Sequence, residues 1–264
     1  LTSPASNPRT GECVRRGRFL FYDERLSLDS TQSCATCHTS AFAFTDNGNQ
    51  FSTGVDGSVG TRNSMALINL GWVYAVQAGK RLATGGDITS MLRGGESLLA
   101  QALTLDPRDR DALQYLGELR LAGTRWKVAR RQAQSKDFTV TAEPLEKALA
   151  LSGNSLDLPL ILAKVALLQA QWERITQQKL GPSLAQGQTL VDGLLKIRPR
   201  WAEAMALRGN LHLEEAERAS PEVRRAKAAQ AHQAFVEAFS WNRHLVAEWK
   251  APAERARQLA GMAP

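Results

Sequence analysis

Two thiols and an imidazole stand together in Cys34-Ala-Thr-Cys37-His38. Cysteines at this spacing on a helical turn can each add to one of the two vinyl groups of a haem. The residue after the second cysteine then lies under the iron, where its imidazole can serve as proximal ligand. These residues predict one covalent haem c, held by Cys34 and Cys37 and ligated by His38. Taken alone, the motif could also be half of a zinc site or a redox dithiol. Zinc needs two further thiolate or imidazole ligands, and the other histidines, His212, His232 and His244, lie far along the chain. A dithiol belongs in a βαβ setting, which polar, glycine-rich surroundings do not offer. On the far side of the iron, Met65 is the nearest soft ligand in sequence, although its spacing equally fits a core position of a helix. Met91 is more distant. The three later histidines read as polar-face residues of helices.

The elements that must position this motif differ from those that follow it. Residues 1–86 are rich in Gly, Ser, Thr and Asn, and 12 of the 20 glycines fall at or before Gly95. Such a stretch makes turns and short helices around something other than a large apolar core, a part that a bound cofactor would supply. Helices are predicted over Cys13–Phe21, Cys34–His38 and Ser64–Val76. From Asp87 onward the pattern turns to long amphipathic runs of Ala, Leu, Gln, Glu and Arg, giving a division into 1–86 and 87–264. Four segments there align: Ala102-Leu-Thr-Leu-Asp-Pro107, Ala148-Leu-Ala-Leu-Ser-Gly153, Leu194-Leu-Lys-Ile-Arg-Pro199 and Ala238-Phe-Ser-Trp-Asn-Arg243, spaced 46, 46 and 44 residues apart. Ten residues beyond the first three stand Gly117, Ala163 and Gly209; nineteen beyond stand Trp126, Trp172 and Arg218. Each repeat reads as two antiparallel helices, stopped where Pro cannot continue a helix or Gly accepts the left-handed cap. The small residue admits a close neighbour. This pattern resembles the tetratricopeptide repeat, whose shorter usual period implies extended helices or inserted loops here, at Ser135–Thr141 and Gly181–Ser183. The fold class expected is mostly α: a small cytochrome c-like haem domain followed by a helical-hairpin solenoid.

The formal charge of +7 is spread along the chain in short clusters such as Arg130-Arg131 and Arg224-Arg225. These read as solvated helix faces, so no nucleic-acid partner is expected, and an acidic protein partner suits the charge better. No apolar run approaches the ~20 residues of a membrane span, so any membrane association would come through partners only. The opening residues from Leu1 to Thr10 are polar and show no signal peptide; for an exported protein, the numbering then starts near the mature end. Cys13, the third cysteine, reads as a buried inert thiol or as half of a disulfide to another chain.

The flanks of the motif add a resemblance. Gly17-Arg-Phe-Leu-Phe-Tyr-Asp23, Arg25-Leu-Ser, Ser33 with the motif, Ala43-Phe-Thr-Asp46, then Gly54, Gly57, Gly60 and Arg62-Asn-Ser-Met-Ala-Leu-Ile-Asn69 resemble the start of the bacterial di-haem cytochrome c peroxidase family, close to its branch of amine-oxidising enzymes that modify tryptophan in partner proteins. The resemblance runs from Gly17 to Trp72. It implies an α-helical cytochrome c-like fold and a periplasmic or otherwise extracytoplasmic location. It also implies that Arg62 faces a haem propionate (an ordinary surface ion pair being the alternative), and that Phe44, with Phe19, Phe21, Tyr22 and Phe42, forms the apolar haem wall. The departures are equally specific. The family carries two haems, whereas these residues hold a single Cys-x-x-Cys-His. No counterpart of the family's middle segment with its glutamate and inter-haem tryptophan is found, and Thr53–Thr61 lacks the distal histidine many members supply.

The function expected is therefore a mono-haem c-type cytochrome subunit that transfers electrons to redox partner proteins and docks into a larger complex through its helical repeats. The alternatives are a peroxidase or oxidase that needs a second haem from a partner, and a scaffold with a structural haem.

Overall fold

A computed structural model of the chain describes residues 11–39, 45–46, 49, 51–59, 70–152, 154–178 and 181–262. The chain forms two compact units, Leu1–Asn69 and Leu70–Pro264.

In the first unit the described residues form helix α1 (Gly11–Phe21), a single 3₁₀ turn at Glu24–Leu26 and the short helix α2 (Cys34–Cys37). Two isolated bridges, Thr39 with Thr45 and Thr53 with Val59, complete it. Asp23 opens the 3₁₀ turn by accepting the Arg25 N–H at 3.1 Å, and the Arg25 guanidinium beside Asp23 holds its carboxyl below the usual aspartate range. Among the described residues, no hydrophobic side chain before Ala75 is buried. Cys13 is exposed on α1, which overturns its reading as a buried thiol: the described neighbours Glu12 and Arg15 to Leu20 are exposed too, so the helix offers no interior there.

The second unit is helical throughout: α3 (Leu70–Ala83), α4 (Thr89–Leu105), α5 (Arg110–Ala129), α6 (Ser135–Leu151), α7 (Asp157–Ile175), α8 (Ser183–Ile197), α9 (Ala202–Arg218), α10 (Pro221–Trp241) and α11 (Val246–Leu259). Helices α5 and α6, α7 and α8, and α9 and α10 pack most closely as pairs, and the odd-numbered helices α3, α5, α7, α9 and α11 also touch one another in succession. The repeated segments lie at the ends of α4, α6, α8 and α10, which stop at Leu105, Leu151, Ile197 and Trp241.

Helix α3 packs on α4 and α5, so the array starts before the change of composition at residues 86 and 87. Its end shows why. Gly85 is left-handed at φ +74, with the Gly86 N–H donating to Arg81 O at 2.9 Å and Gly85 N–H to Leu82 O at 2.9 Å. The same paired cap closes α5 at Arg131 (φ 57) and α7 at Gln177 (φ 55), each 46 residues after the last. Gln132 there donates to Lys127 O and Gln178 to Glu173 O, both at 2.8 Å. Gly85 adopts this conformation freely, whereas Arg131 and Gln177 do so at a cost. The repeat is thus legible in the caps where side-chain similarity has faded. Helix α3 also runs on past the expected stop at Val76, since Gly79 faces open space and nothing breaks the helix before Gly85.

The small residues mark close approaches. A Cβ on Gly117 would overlap the side chain of the fully buried Leu145 of α6, and one on Gly209 would press within 3.1 Å of Ala231 O and 3.2 Å of the Phe235 ring on α10. Ala163 is fully buried at the same position of α7. Four apolar clusters follow along the array: around Leu119 (α3 to α5), around Phe138 and Leu145 (α5 to α7), around Leu207, Leu211 and Phe235 (α7 to α11), and a small one of Ala216, Ala228 and Ala260. Met91 packs into the first of these. Where two repeats carry Trp126 and Trp172, Arg218 instead donates to Glu214 at 3.0 Å and to the Ala170 carbonyl of α7.

Of the two alternatives at Ser135–Thr141, an extended helix or an inserted loop, the structure has the helix: these residues are the first turns of α6. Asp137, in its first turn, accepts the Gln134 N–H at 2.8 Å and the Lys127 ammonium at 2.6 Å, and these partners start the helix. Burial works to raise the Asp137 pKa, but Lys127 and the Gln134 N–H outweigh it and hold the carboxyl below the usual range. A depressed carboxyl stabilises the fold above its unfolded pKa, near ~4, and that stabilisation is lost as pH falls through the folded value. Asp137→Asn should therefore cost about 1 kcal/mol at pH 7. Urea midpoints of the two proteins should converge below about pH 3; a gap that persists there would count against the ion pair.

Candidate functional site

Helix α2 carries the two cysteines and ends on the histidine. Its start is set by Ser33, whose N–H donates to Thr36 Oγ1 at 3.0 Å, and its end by the His38 N–H, which donates to Cys34 O at 3.0 Å. One turn therefore presents an exposed Cys34, a half-buried Cys37 and a half-buried His38. The chain approaches through Asp29, which accepts from the Thr31 hydroxyl at 2.7 Å, and through Gln32, whose Nε2 donates to Thr53 O at 3.1 Å. The Thr53–Val59 bridge encloses a tight turn at Gly57, φ +77. Beyond the motif, Thr39 N–H donates to Thr45 O at 3.1 Å, and the buried Asp46 accepts from the Asn49 amide at 3.0 Å. The motif is thus fixed between two short backbone closures rather than on a long element.

Most of the described apolar side chains of this unit are exposed. Phe19, Leu20, Tyr22, Leu26, Leu28, Phe51 and Val59 are all exposed, Leu28 at 96%. Seven such residues, with no buried apolar neighbour among the described residues of the unit, fit a prosthetic group with large apolar faces, because apolar area left in water is unfavourable by about 25 cal/mol per Å². Two thiols and an imidazole on one turn are the donor set that haem c requires. The residues present fit the group.

Of the other expected site residues, Phe42, Phe44, Arg62 and Met65 lie outside the described residues. Phe19, Phe21 and Tyr22 lie at the end of α1 and just beyond it, with the Phe21 and Tyr22 rings edge to face at 5.0 Å. His212 of α9 pairs with Glu215 at 2.9 Å, His244 is exposed, and His232 is half-buried. Among the described residues no group of three or more His, Cys, Asp and Glu could hold a metal ion, and no helix is long and apolar enough to cross a membrane. Sequence reasoning missed the apolar exposure at Leu26, Leu28 and Phe51, whose only signal is a hydrophobic side chain set among turn formers.

Comparison with known proteins agrees with the motif. The chain is similar to cytochrome-c peroxidase IdrP1 of Denitromonas iodatirespirans, 35% identical over 88 residues that make 33% of this chain and 22% of that protein. It is similar to methylamine utilization protein MauG of Paracoccus denitrificans, 41% identical over 90 residues (32% and 22%). Cytochrome c peroxidase Ccp of Escherichia coli is 41% identical over 66 residues (25% and 14%). The matches thus span about a fifth of these relatives' length. No solved structure matches the chain. The family profile described as di-haem cytochrome c peroxidase matches residues 12–147, further than the expected Gly17 to Trp72, reaching from α1 into α6. With a capped Cys-x-x-Cys-His turn at its start and more than half of its length matched, this chain is a haem protein that belongs to the di-haem cytochrome c peroxidase family.

Proposed function

We propose that the chain is a mono-haem c-type cytochrome subunit, extracytoplasmic, that passes single electrons to protein partners and docks among them through a tetratricopeptide-like helical array. One observation carries the reading: these 264 residues contain a single haem-attachment turn, Cys34 to His38, joined to a separate helical array with its own apolar core. In this reading the Cys34 and Cys37 thiols would hold the haem, each S–H adding its sulfur and hydrogen to one vinyl double bond, and His38 would serve as an iron ligand. When bound, haem supplies a one-electron couple. The chain's own part is to hold the imidazole in place through the capped turn and to wall the apolar faces with Phe19 and its neighbours. The repeating 46-residue hairpins, with small residues at their crossings, support the likeness to tetratricopeptide arrays, which offer broad concave surfaces.

The relatives' names favour a second reading, a peroxidase or oxidase that borrows a second haem from a partner. One experiment separates the two. The isolated holoprotein should show a low-spin, six-coordinate haem by optical and magnetic resonance spectra, and peroxide reduction well below about 10 per second. A high-spin, open iron with turnover at enzymic rates would sink the electron-carrier reading, and activity appearing only with a partner would establish the second.

A further inference from the structure

In the first unit one polar side chain links two stretches that lie far apart in sequence. Gln32 stands two residues before Cys34, and its Nε2 donates to Thr53 O at 3.1 Å. A carbonyl oxygen can only accept, so the amide nitrogen of Gln32 must be its partner. The bond spans 21 residues. Every other hydrogen bond that a side chain makes between described residues of this unit spans five or fewer.

Both ends of this bond are held. The Gln32 N–H donates to Ser27 Oγ at 3.1 Å, and the Ser27 hydroxyl donates to Glu24 O at 2.9 Å. At the other end, Gly54 N–H donates to Ser58 O at 2.8 Å inside the turn closed by the Thr53–Val59 bridge. Gln32 thereby joins the 3₁₀ turn, the attachment turn and the 51–59 segment, in a unit whose described residues bury no hydrophobic side chain. Polar contacts do here what apolar packing does in the array.

The segment held in this way carries apolar side chains. Phe51, two residues before Thr53, is 40% exposed, and Val59, its bridge partner, is 64% exposed. Resting on the covalent-haem reading above, we propose that Gln32 is a positioning residue. It holds the 51–59 segment beside the attachment turn, so that Phe51 and Val59 cover part of a haem tethered at Cys34 and Cys37. The connectivity sets the reach: Gln32 is bonded to Thr53 at its side chain and joined through Ser33 to Cys34 along the chain. Covering a haem face takes apolar area of both partners out of water. Excluding water also favours ferrous over ferric iron, which carries one more charge. The bond is exposed and modest in energy, so its loss loosens the segment and leaves the unit folded.

The test compares the full-length holoprotein with two variants at residue 32. Gln32→Met keeps the length of the side chain without a donor or a charge, and Gln32→Lys keeps a donor on a long stem. Hydrogen exchange of peptides spanning 52–59, read by mass spectrometry, should run about fivefold faster in Gln32→Met, the factor that a bond of about 1 kcal/mol supplies. Array peptides should exchange unchanged in both variants, and the 52–59 peptides of Gln32→Lys should exchange like those of the unaltered chain. The haem reduction potential of Gln32→Met should fall, because the loosened segment admits water to the haem. Unaltered exchange in Gln32→Met, or exchange in Gln32→Lys as fast as in Gln32→Met, would overturn the clasp. Faster exchange with an unchanged potential would overturn the covering of haem by Phe51 and Val59. The covalent-haem reading has its own readout, the pyridine haemochrome band of the unaltered chain. If that band is missing, the reading falls and the covering of haem with it, while exchange still decides the clasp.

Discussion

Replacing Cys34 and Cys37 together by alanine should yield a chain without covalent haem, lacking one haem mass in denaturing mass spectrometry and the pyridine haemochrome band. The single variant Cys37→Ala should retain a small share of holoprotein, because one thioether still tethers the group through the exposed Cys34. The effect should also be structural and confined to the first unit. Its described residues bury no hydrophobic side chain, so its near-ultraviolet signature depends on the bound group. The array buries its own clusters around Phe138, Leu145 and Phe235 and should melt unchanged. Haem that survives acid–acetone treatment of the double variant would refute attachment through these thiols. A matching loss of stability in the array would refute its independence.

The second large effect is expected at Glu214. This carboxylate is 2% exposed and accepts from Arg174 Nε at 2.9 Å and Arg218 Nε at 3.0 Å. It thereby joins α7 to α9 at the place where two other repeats use a tryptophan. Removing one partner of a buried, hydrogen-bonded charge cluster leaves the rest uncompensated. Glu214→Gln should therefore lower stability by about 3 kcal/mol, read as a shift in urea midpoint at unchanged slope. Glu143→Gln is the control: its pair with Lys147 at 2.7 Å has both side chains more than half exposed, and surface pairs contribute about 0–1 kcal/mol. Equal shifts in the two variants would mean that the α7–α9 seam is held by its apolar contacts alone.

The short helix at Cys34–Cys37 was legible from residue types, and the Gly17 to Trp72 flanks name the family. The positions of the repeat breaks were legible too, because Pro107, Gly153 and Pro199 cannot sit inside a helix without cost. The first hairpin, α3 with α4, was not. Its cap at Gly85 repeats the backbone of Arg131 and Gln177, but three different residue types occupy one conformation, so no side-chain pattern records it. At Ser135–Thr141 the residue types left helix and loop both open: Ser, Lys and Asp suit loops and first helical turns equally, and only the Lys127 and Gln134 contacts to Asp137 decide for the helix. Two cavities that share Arg125 and Lys164 in their walls were invisible as well: they draw side chains from five helices spread between Ala75 and Pro252, and no window of sequence contains them together.

The contrast between a first unit whose described residues bury no hydrophobic side chain and an array with four apolar clusters has a consequence for biogenesis on the proposed reading. The array can reach its final form as soon as it is made, whereas the attachment unit waits for its ligand. A cell short of haem would then accumulate chains able to occupy their place in a complex but unable to conduct. Such chains would behave as plugs rather than as missing parts: adding more of the protein would deepen the defect, and restoring haem supply would relieve it.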